Sequence, residues 1–357
     1  MSKRIRVAVL GAGIGRSHIS GYAELPDHYE VVYVCDLDLE KASAGARLAQ
    51  GARPVTAVAE VFSDPSIDLV DICLPPHLHA PMTIAALDAG KHVVCEKPIA
   101  GSMADVARIA AAASRAGRQV FPVFQYRYGA GYRAAHALRK KGMLGKPYVM
   151  ALETHWQRGA DYYAERWRGS WNGELGGAIV SHAIHAHNLV TLLAGNIRSV
   201  AAFLDTRVNP IETEDCAAIS MKTVEGALVT SSITLGAAGS KSRFRVCFEH
   251  VTITSGTEPY HVGAGPWTFN ATDPARQAEL DAVLASVPHV EDRFAGQFAD
   301  IYQKLNGEPD LYLPVFAEAE HSIELITAIY DSALNARIVQ LPLPADHQFK
   351  DGWQPGR

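Results

Sequence analysis

No two cysteines of this chain form a CxxC pair. There are five (Cys35, Cys73, Cys95, Cys216 and Cys247), an odd number, so neither a disulfide framework nor a zinc ribbon is expected and a reducing compartment is implied. Uncharged apolar runs of about 18 residues are also missing, which argues against a transmembrane helix. The short apolar run behind Lys3, Arg4 and Arg6 breaks at once into Gly11, Gly13 and Gly15, unlike a signal peptide. Basic residues show no excess: 33 Lys and Arg against 38 Asp and Glu leave a formal charge of −5, too little positive field for a nucleic-acid partner. Internal repeats and low-complexity linkers are lacking as well. The expectation is a soluble, cytoplasmic protein without membrane or nucleic-acid partners. What is present is an ordinary globular balance of 48% hydrophobic and 20% charged residues over 357 positions, a length that suggests about two domains.

Up to about residue 125, short β-branched apolar runs alternate with Ala- and Leu-rich stretches. The runs 6–11, 31–36, 69–74, 92–95 and 119–124 read as strands, several apolar almost throughout, as expected of strands covered on both faces. Between them, 80–90 and 103–117 read as helices that close on glycine. This alternation predicts βαβ units and a doubly wound α/β domain over 1–125. Beyond it, strand-like runs follow one another without helices, as in 200–208, 216–236 and 243–256. That texture predicts an α+β domain over 126–357 with an open, mostly antiparallel sheet. Helices are expected over 174–194, 293–305 and 314–335.

VAVLGAGIGRSHISGY (7–22) carries a strand into a glycine turn and then a helix. Glycine suits a tight turn that lets the backbone approach a pyrophosphate, while the helix N-terminus offers N–H groups and the positive end of its dipole. Asp36 ends the next strand, where a carboxylate can accept from an adenosine ribose hydroxyl and repel a 2′-phosphate, favouring NAD over NADP. Gly11 and Gly13 fit the G-x-G-x-x-G spacing. The third position holds Arg16, and a glycine falls one place early at Gly15.

LPPHLHAPMTIAALDAGKHVVCEKPIA (74–100), with its Glu96-Lys97-Pro98 triplet, resembles the signature stretch of the glucose-fructose oxidoreductase, inositol dehydrogenase and MocA-like family. FQYRYG (124–129) is similar to that family's domain junction, and GGAIVSHAIHAHNL (176–189) to its glycine-led active-site helix. The resemblance spans roughly residues 4–340. It implies a Rossmann domain binding NAD, a second domain whose open sheet often serves in homodimers or homotetramers, and an active site to which both contribute. It further implies cofactor contacts from Gly11, Gly13, Ile14, Gly15, Asp36, Leu74, Pro75, His79, Glu96 and Lys97. The triplet's lysine sits beside the nicotinamide and the reacting carbinol, a role that passes to Lys97. An amine there can take the alcohol proton as hydride leaves.

The family's helix usually carries Asp-x-x-x-His. In this chain Ser181 stands in the aspartate's place and His185 in the histidine's. On one continuous helix Ser181, His185 and Asn188 share a face, and His182 adds a second imidazole as a candidate acid/base. His182, His185 and His187 do not combine with a thiolate or carboxylate at a familiar ligand spacing, so no metal site is expected. By family position Arg127, His155 and Gln157 are expected to meet substrate hydroxyls. The segment 158–171 concentrates Arg158, Arg166 and Arg168 among aromatics, a mixture suited to sugar stacking and to holding an anion. His321 is a weaker substrate candidate.

The leading expectation is an NAD-dependent dehydrogenase oxidising a secondary hydroxyl of a sugar, sugar derivative or cyclitol, with Lys97 as proton acceptor and His185 polarising the reacting oxygen. An alternative is a redox-neutral NAD-dependent glycosidase, using transient C3 oxidation, elimination, hydration and re-reduction, with His182 and His185 as extra acid/base. A cofactor-binding regulator without catalysis is a third class, opposed by the retained Lys97 and His185.

Overall fold

The computed structural model describes residues 3–288, 292–308 and 313–355. The chain divides into two compact units, residues 1–125 with 293–320, and residues 126–292 with 321–357.

In the first unit the order is β1 (Ile5–Leu10), α1 (Gly15–Ala23), β2 (Tyr29–Cys35), α2 (Leu39–Ala46), β3 (Arg53–Val55), α3 (Val58–Ser63), β4 (Leu69–Ile72), α4 (His79–Asp88), β5 (His92–Cys95), α5 (Met103–Ala116) and β6 (Val120–Pro122). All pairings are parallel, in the order β3-β2-β1-β4-β5-β6. Helices start and stop where local chemistry dictates. Asp38 caps α2 by accepting from the N–H groups of Glu40 and Lys41, Ser102 caps α5 through the Asp105 N–H, and Gly117 ends α5 at φ +60°. Strand order reverses between β1 and β4, and in such sheets ligands bind at the carboxyl ends beside that switch. The loops after β1, β4 and β5 therefore mark the functional edge of this unit.

A later segment completes the same core. The expectation of one uninterrupted second domain over 126–357 needs correction, because 293–320 returns to the first unit. In the helix 293–305, Phe294, Phe298, Ile301 and Tyr302 recur at helical spacing and join Ile19, Tyr22 and Tyr29 in one hydrophobic cluster. Tyr22 and Phe298 stack at 3.9 Å and 7°. The buried Gln297 amide clasps the end of β6, accepting from the Phe124 N–H (3.2 Å) and donating to the Pro122 carbonyl (2.7 Å).

The second unit holds α6 (Ala130–Lys140), β7 (Pro147–Gln157), α7 (Ile184–Ala194), β8 (Ile197–Asp205), β9 (Cys216–Thr223), β10 (Leu228–Thr234), β11 (Gly236–Phe248), β12 (Val251–Thr254), β13 (Thr268–Ala271) and α8 (Gln277–Ala285). After α9, the returning helix Arg293–Leu305, come α10 (Phe316–Asn335), within which the unit boundary falls, and β14 (Val339–Gln340). Its eight-stranded sheet runs β13-β12-β11-β7-β10-β9-β8-β14, antiparallel except for the parallel pair β7 and β10. Alternation along β9 and β10 buries Ala217, Ile219, Met221, Val229 and Ile233 on one face. The opposite face carries Phe203, Leu228 and Val149, with Phe203 80% exposed. Among the described residues no helix is long and apolar enough to cross a membrane.

The helix expected over 174–194 is only partly formed. Residues 179–183 wind as a π-turn and the α-helix begins at Ile184. The backbone ahead of it is committed elsewhere: Leu175 adopts φ 66°, and the buried carboxylate of Glu214 takes the N–H groups of Gly177 and Ile179. A Cβ on Gly177 would stand 1.8 Å from the Glu214 carbonyl oxygen, so only glycine fits that approach.

Candidate functional site

The glycine turn sits at the carboxyl end of β1, and its three glycines do different things. Gly11 has φ +96°, and a Cβ there would stand 2.4 Å from the Cys73 carbonyl oxygen, so it makes the tight turn against the end of β4. Gly13 would meet nothing within 4 Å, leaving the backbone open to a ligand. Gly15 opens α1 with its Cα against Val9 and Cys73, where a Cβ would come within 3.0 and 3.3 Å. Those are the turn, approach and helix-packing roles of a dinucleotide fingerprint. Gly15 performs the third one residue earlier than the standard spacing, which accounts for Arg16 in the third position; Arg16 itself is exposed. The Asp36 carboxylate folds over the turn, accepting from the N–H groups of Ala12 (2.8 Å) and Asp38 (3.0 Å). Ile14 is 46% exposed, Leu74 is half-buried beside Gly11, and Pro75 is half-buried next in the chain.

Two expected cofactor contacts also have structural partners. Both ring nitrogens of the buried His79 face main-chain oxygens, Nδ1 at 2.6 Å from the Pro98 carbonyl and Nε2 at 2.7 Å from that of Leu74. His79 therefore ties the loop after β4 to the loop after β5. Glu96, also buried, points one carboxylate oxygen at His18 and accepts the Lys97 N–H with the other (3.0 Å). Lys97, half-buried, stands directly after it at the carboxyl edge of the sheet, and its bond to Pro98 is cis.

In the second unit the aromatic ring of Tyr126 stacks on His185 at 4.3 Å and 18°, and the Arg127 Nε donates to the Asn188 side-chain oxygen at 3.1 Å. Two consecutive residues thus grip two positions three apart on α7. Burial lowers the Arg127 guanidinium to about 10. Ser181 has a carboxylate partner of its own. Its hydroxyl donates to the buried Glu174 carboxylate at 2.6 Å, whose other oxygen accepts the Gly169 N–H. A carboxylate thus lies beside the aspartate's position after all, reaching it from seven residues upstream. Without Glu214 the π-turn would lack its anchor: burial pushes this carboxyl up to about 7, opposed by donation from the Tyr330 hydroxyl (2.7 Å) and from the Ile179 and Gly177 N–H groups.

His182 lies in an aromatic nest, edge-on to Trp156 (4.9 Å) and tilted against Tyr162 (5.6 Å). Arg158 spans the rings of Trp156, Tyr162 and Tyr260 at 4.8, 4.9 and 5.6 Å. Arg168 lies over Tyr162 and Trp167 at 4.0 and 4.2 Å, and 3.5 Å from Glu174. Arg166 is exposed, and among the described residues it makes no ring contact or ion pair. His155 and Gln157 do not join the nest either. Successive strand residues point to opposite faces, so Trp156 turns inward while His155 faces the uncovered side, its Nε2 2.9 Å from the Ser232 hydroxyl oxygen. His187 is a core residue bound to Ser231 (3.1 Å), and burial lowers its imidazole to about 4. His321 is exposed beside it in a small recess with Ile184 and Leu325. Tyr162 is one of the aromatics expected over 158–171, whereas Tyr126 and Glu174 were not foreseen, and neither was Trp156, although its parity with Met150, Leu152 and Thr154 on β7 was the available signal.

Two family models match the chain. One, described as the oxidoreductase family with an NAD-binding Rossmann fold, covers residues 5–124, and the GFO/IDH/MocA C-terminal domain covers 132–254. The chain belongs to the GFO/IDH/MocA oxidoreductase family. Among its relatives, inositol 2-dehydrogenase 3 of Saccharopolyspora erythraea is 37% identical over 147 residues, 41% of this chain and 43% of that protein. The match thus spans less than half of that relative. The WlbA dehydrogenase of Bordetella pertussis, solved with NADH and UDP-GlcNAcA, superposes with a TM-score of 0.84 at 27% identity, covering 96% of this chain and 100% of that one. Levoglucosan dehydrogenase with NADH has the same fold, with a TM-score of 0.79 at 21% identity over the same shares. As a GFO/IDH/MocA oxidoreductase the chain binds NAD through its Rossmann unit, and the three glycines and Asp36 are the residues that fit it.

Proposed function

We propose that this oxidoreductase is an NAD-dependent dehydrogenase that oxidises a secondary hydroxyl of an acidic sugar or nucleotide sugar. The observation that carries the reading is the placement of Lys97 on the same carboxyl edge of the parallel sheet as the glycine turn. Bound NAD⁺ supplies the hydride acceptor. Oxidation removes hydride from the carbinol carbon and a proton from its oxygen, leaving a ketone, and Lys97 takes that proton. His185, its ring fixed by Tyr126, polarises the reacting oxygen, and Arg127 with Asn188 holds a neighbouring hydroxyl. Asp36 favours NAD over NADP by repelling a 2′-phosphate.

The acidic substrate is supported by Arg158. Its guanidinium is stacked on three rings, and among the described residues it has no carboxylate partner. A bound anion would complete it. The WlbA relative was crystallised with UDP-GlcNAcA, which agrees with that chemistry. Sugars, inositols, sugar acids, nucleotide sugars and aryl glycosides incubated with NAD⁺ test the proposal by NADH absorbance. Steady NADH accumulation is the expected result, whereas aglycone release without it would establish the redox-neutral cycle instead. In Lys97→Met turnover should fall by orders of magnitude while NAD⁺ binding survives; near-normal turnover would overturn the assignment.

A further inference from the structure

A fully buried polar group in the first unit, centred on His18, has no place in the chemistry above. His18 projects from α1 into the protein and is completely buried. Its Nδ1 is 2.8 Å from Asp71 Oδ2 and its Nε2 is 3.2 Å from Glu96 Oε1. The Tyr22 hydroxyl donates to the same Asp71 oxygen at 2.9 Å, and the Cys73 thiol packs against both partners at 3.4 Å. Phe294 and Phe298 close the remaining side, with ring centroids 4.3 and 5.5 Å from the imidazole. The group is buried, so its polar atoms need partners within the protein, and they find them in one another.

His18, Asp71 and Cys73 offer three ligand atoms close together, but the distances are those of a proton-sharing cluster. Two atoms bound tetrahedrally at about 2.0 Å to one zinc stand about 3.3 Å apart, whereas Nδ1 and Oδ2 are at 2.8 Å. Two carboxylates facing both ring nitrogens call for two N–H donors. Burial, the largest single influence, disfavours the charged imidazole, but Asp71 and Cys73 together more than offset it, leaving the His18 pKa well above the ordinary value.

The consequence runs along Glu96. One carboxylate oxygen is held by His18, and the other accepts the N–H of Lys97. The Glu96 side chain therefore joins α1, and by way of His18 also Asp71 of β4, to the main chain from which Lys97 projects. We propose that His18 is a positioning residue of the dehydrogenase, holding Glu96 and, through it, the backbone at Lys97. This rests on Lys97 being the proton acceptor. It assigns work to a histidine that is not itself among the expected cofactor contacts and reaches them only through Glu96. Its partners Asp71 and Glu96 come from two other strands' ends, so the device spans the functional edge of the sheet.

The test compares His18→Gln, which keeps one donor, with His18→Ala, which keeps none, in the full chain with NAD⁺. Turnover should fall in that order, by about ten- to a hundredfold in His18→Ala, while KM and NAD⁺ affinity stay within about threefold of the parent. Amide exchange of the peptide spanning 96–100 should accelerate in His18→Ala without a matching change elsewhere in the first unit. Folded His18→Ala with kcat within about twofold of the parent, while Lys97→Met is inactive, overturns the proposal and leaves the function standing. Active Lys97→Met removes the function instead, and the exchange of 96–100 then decides whether His18 positions the loop. Should neither His18 variant fold, the isosteric Asp71→Asn carries the same criteria, since it loosens His18 from the far side.

Discussion

Replacing Glu214 by Gln should change the pH dependence of stability in a way that can be calculated. In the folded protein burial holds this carboxyl at about 7, against an ordinary value of 4.5. A raised carboxyl binds its proton more tightly in the native than in the unfolded state. Its contribution to stability is therefore full below pH 4.5, declines as pH rises, and is gone above about 7. At about 1.4 kcal/mol per unit, that span is worth about 3 kcal/mol. The parent's own profile will not display it, because His187, lowered to about 4 by burial, acts with the opposite sign between pH 4 and its unfolded value of about 6.5. Subtracting the parent from Glu214→Gln cancels His187 and leaves Glu214 alone. Relative to the parent, the variant should gain about 3 kcal/mol between pH 4.5 and 7.5. Urea unfolding followed by tryptophan fluorescence is the natural assay, since all five tryptophans (Trp156, Trp167, Trp171, Trp267 and Trp353) lie in the unit that contains Glu214. Parallel pH profiles for the two proteins would refute the reasoning and mean that the N–H groups of Gly177 and Ile179 keep the carboxylate ionised.

Asp36→Ala should weaken NADH binding by roughly tenfold and narrow the preference over NADPH, read by fluorescence titration of both cofactors. Arg158→Gln should raise KM for an acidic sugar by about tenfold or more with a smaller change in kcat; equal effects on neutral and acidic substrates would contradict the anion-binding role. Phe203→Lys, on the uncovered face of the second unit's sheet, should shift the protein toward monomer in light scattering if that face joins the copies of a homodimer or homotetramer; an unchanged mass would move the interface elsewhere.

Five strands of the parallel unit were readable because each is a short apolar run, and burial on both faces leaves that mark in any single segment; the edge strand β3, Arg-Pro-Val, lacks the mark and was not foreseen. The glycine turn was readable for the same local reason, down to Gly15 arriving one residue early. Pairings between distant residues were not. Ser181 looked like the loss of a carboxylate, yet Glu174 supplies one through a bend that no periodicity announces, and the π-turn from 179 to 183 depends on Glu214, more than thirty positions away in sequence. His155 and Gln157 were assigned by family position, whereas strand parity on β7 turns Trp156 inward and leaves His155 on the uncovered side. His18 had a local signature, a polar residue in a helix face otherwise occupied by Ile19 and Tyr22, but its meaning needed Asp71 and Glu96 beside it.

The return of α9 to the first unit bears on how the protein is made. A ribosome releases residues 1–125 well before α9 emerges, and the intervening 168 residues take roughly ten to thirty seconds at typical elongation rates. During that interval Ile19, Tyr22 and Tyr29 lack the aromatic partners that cover them in the finished protein. The dinucleotide-binding unit is thus the first to be synthesised and among the last to be sealed. A fragment ending at 125 should be sticky and poorly soluble, whereas the same fragment joined by a short linker to residues 293–308 should regain the missing wall of its core.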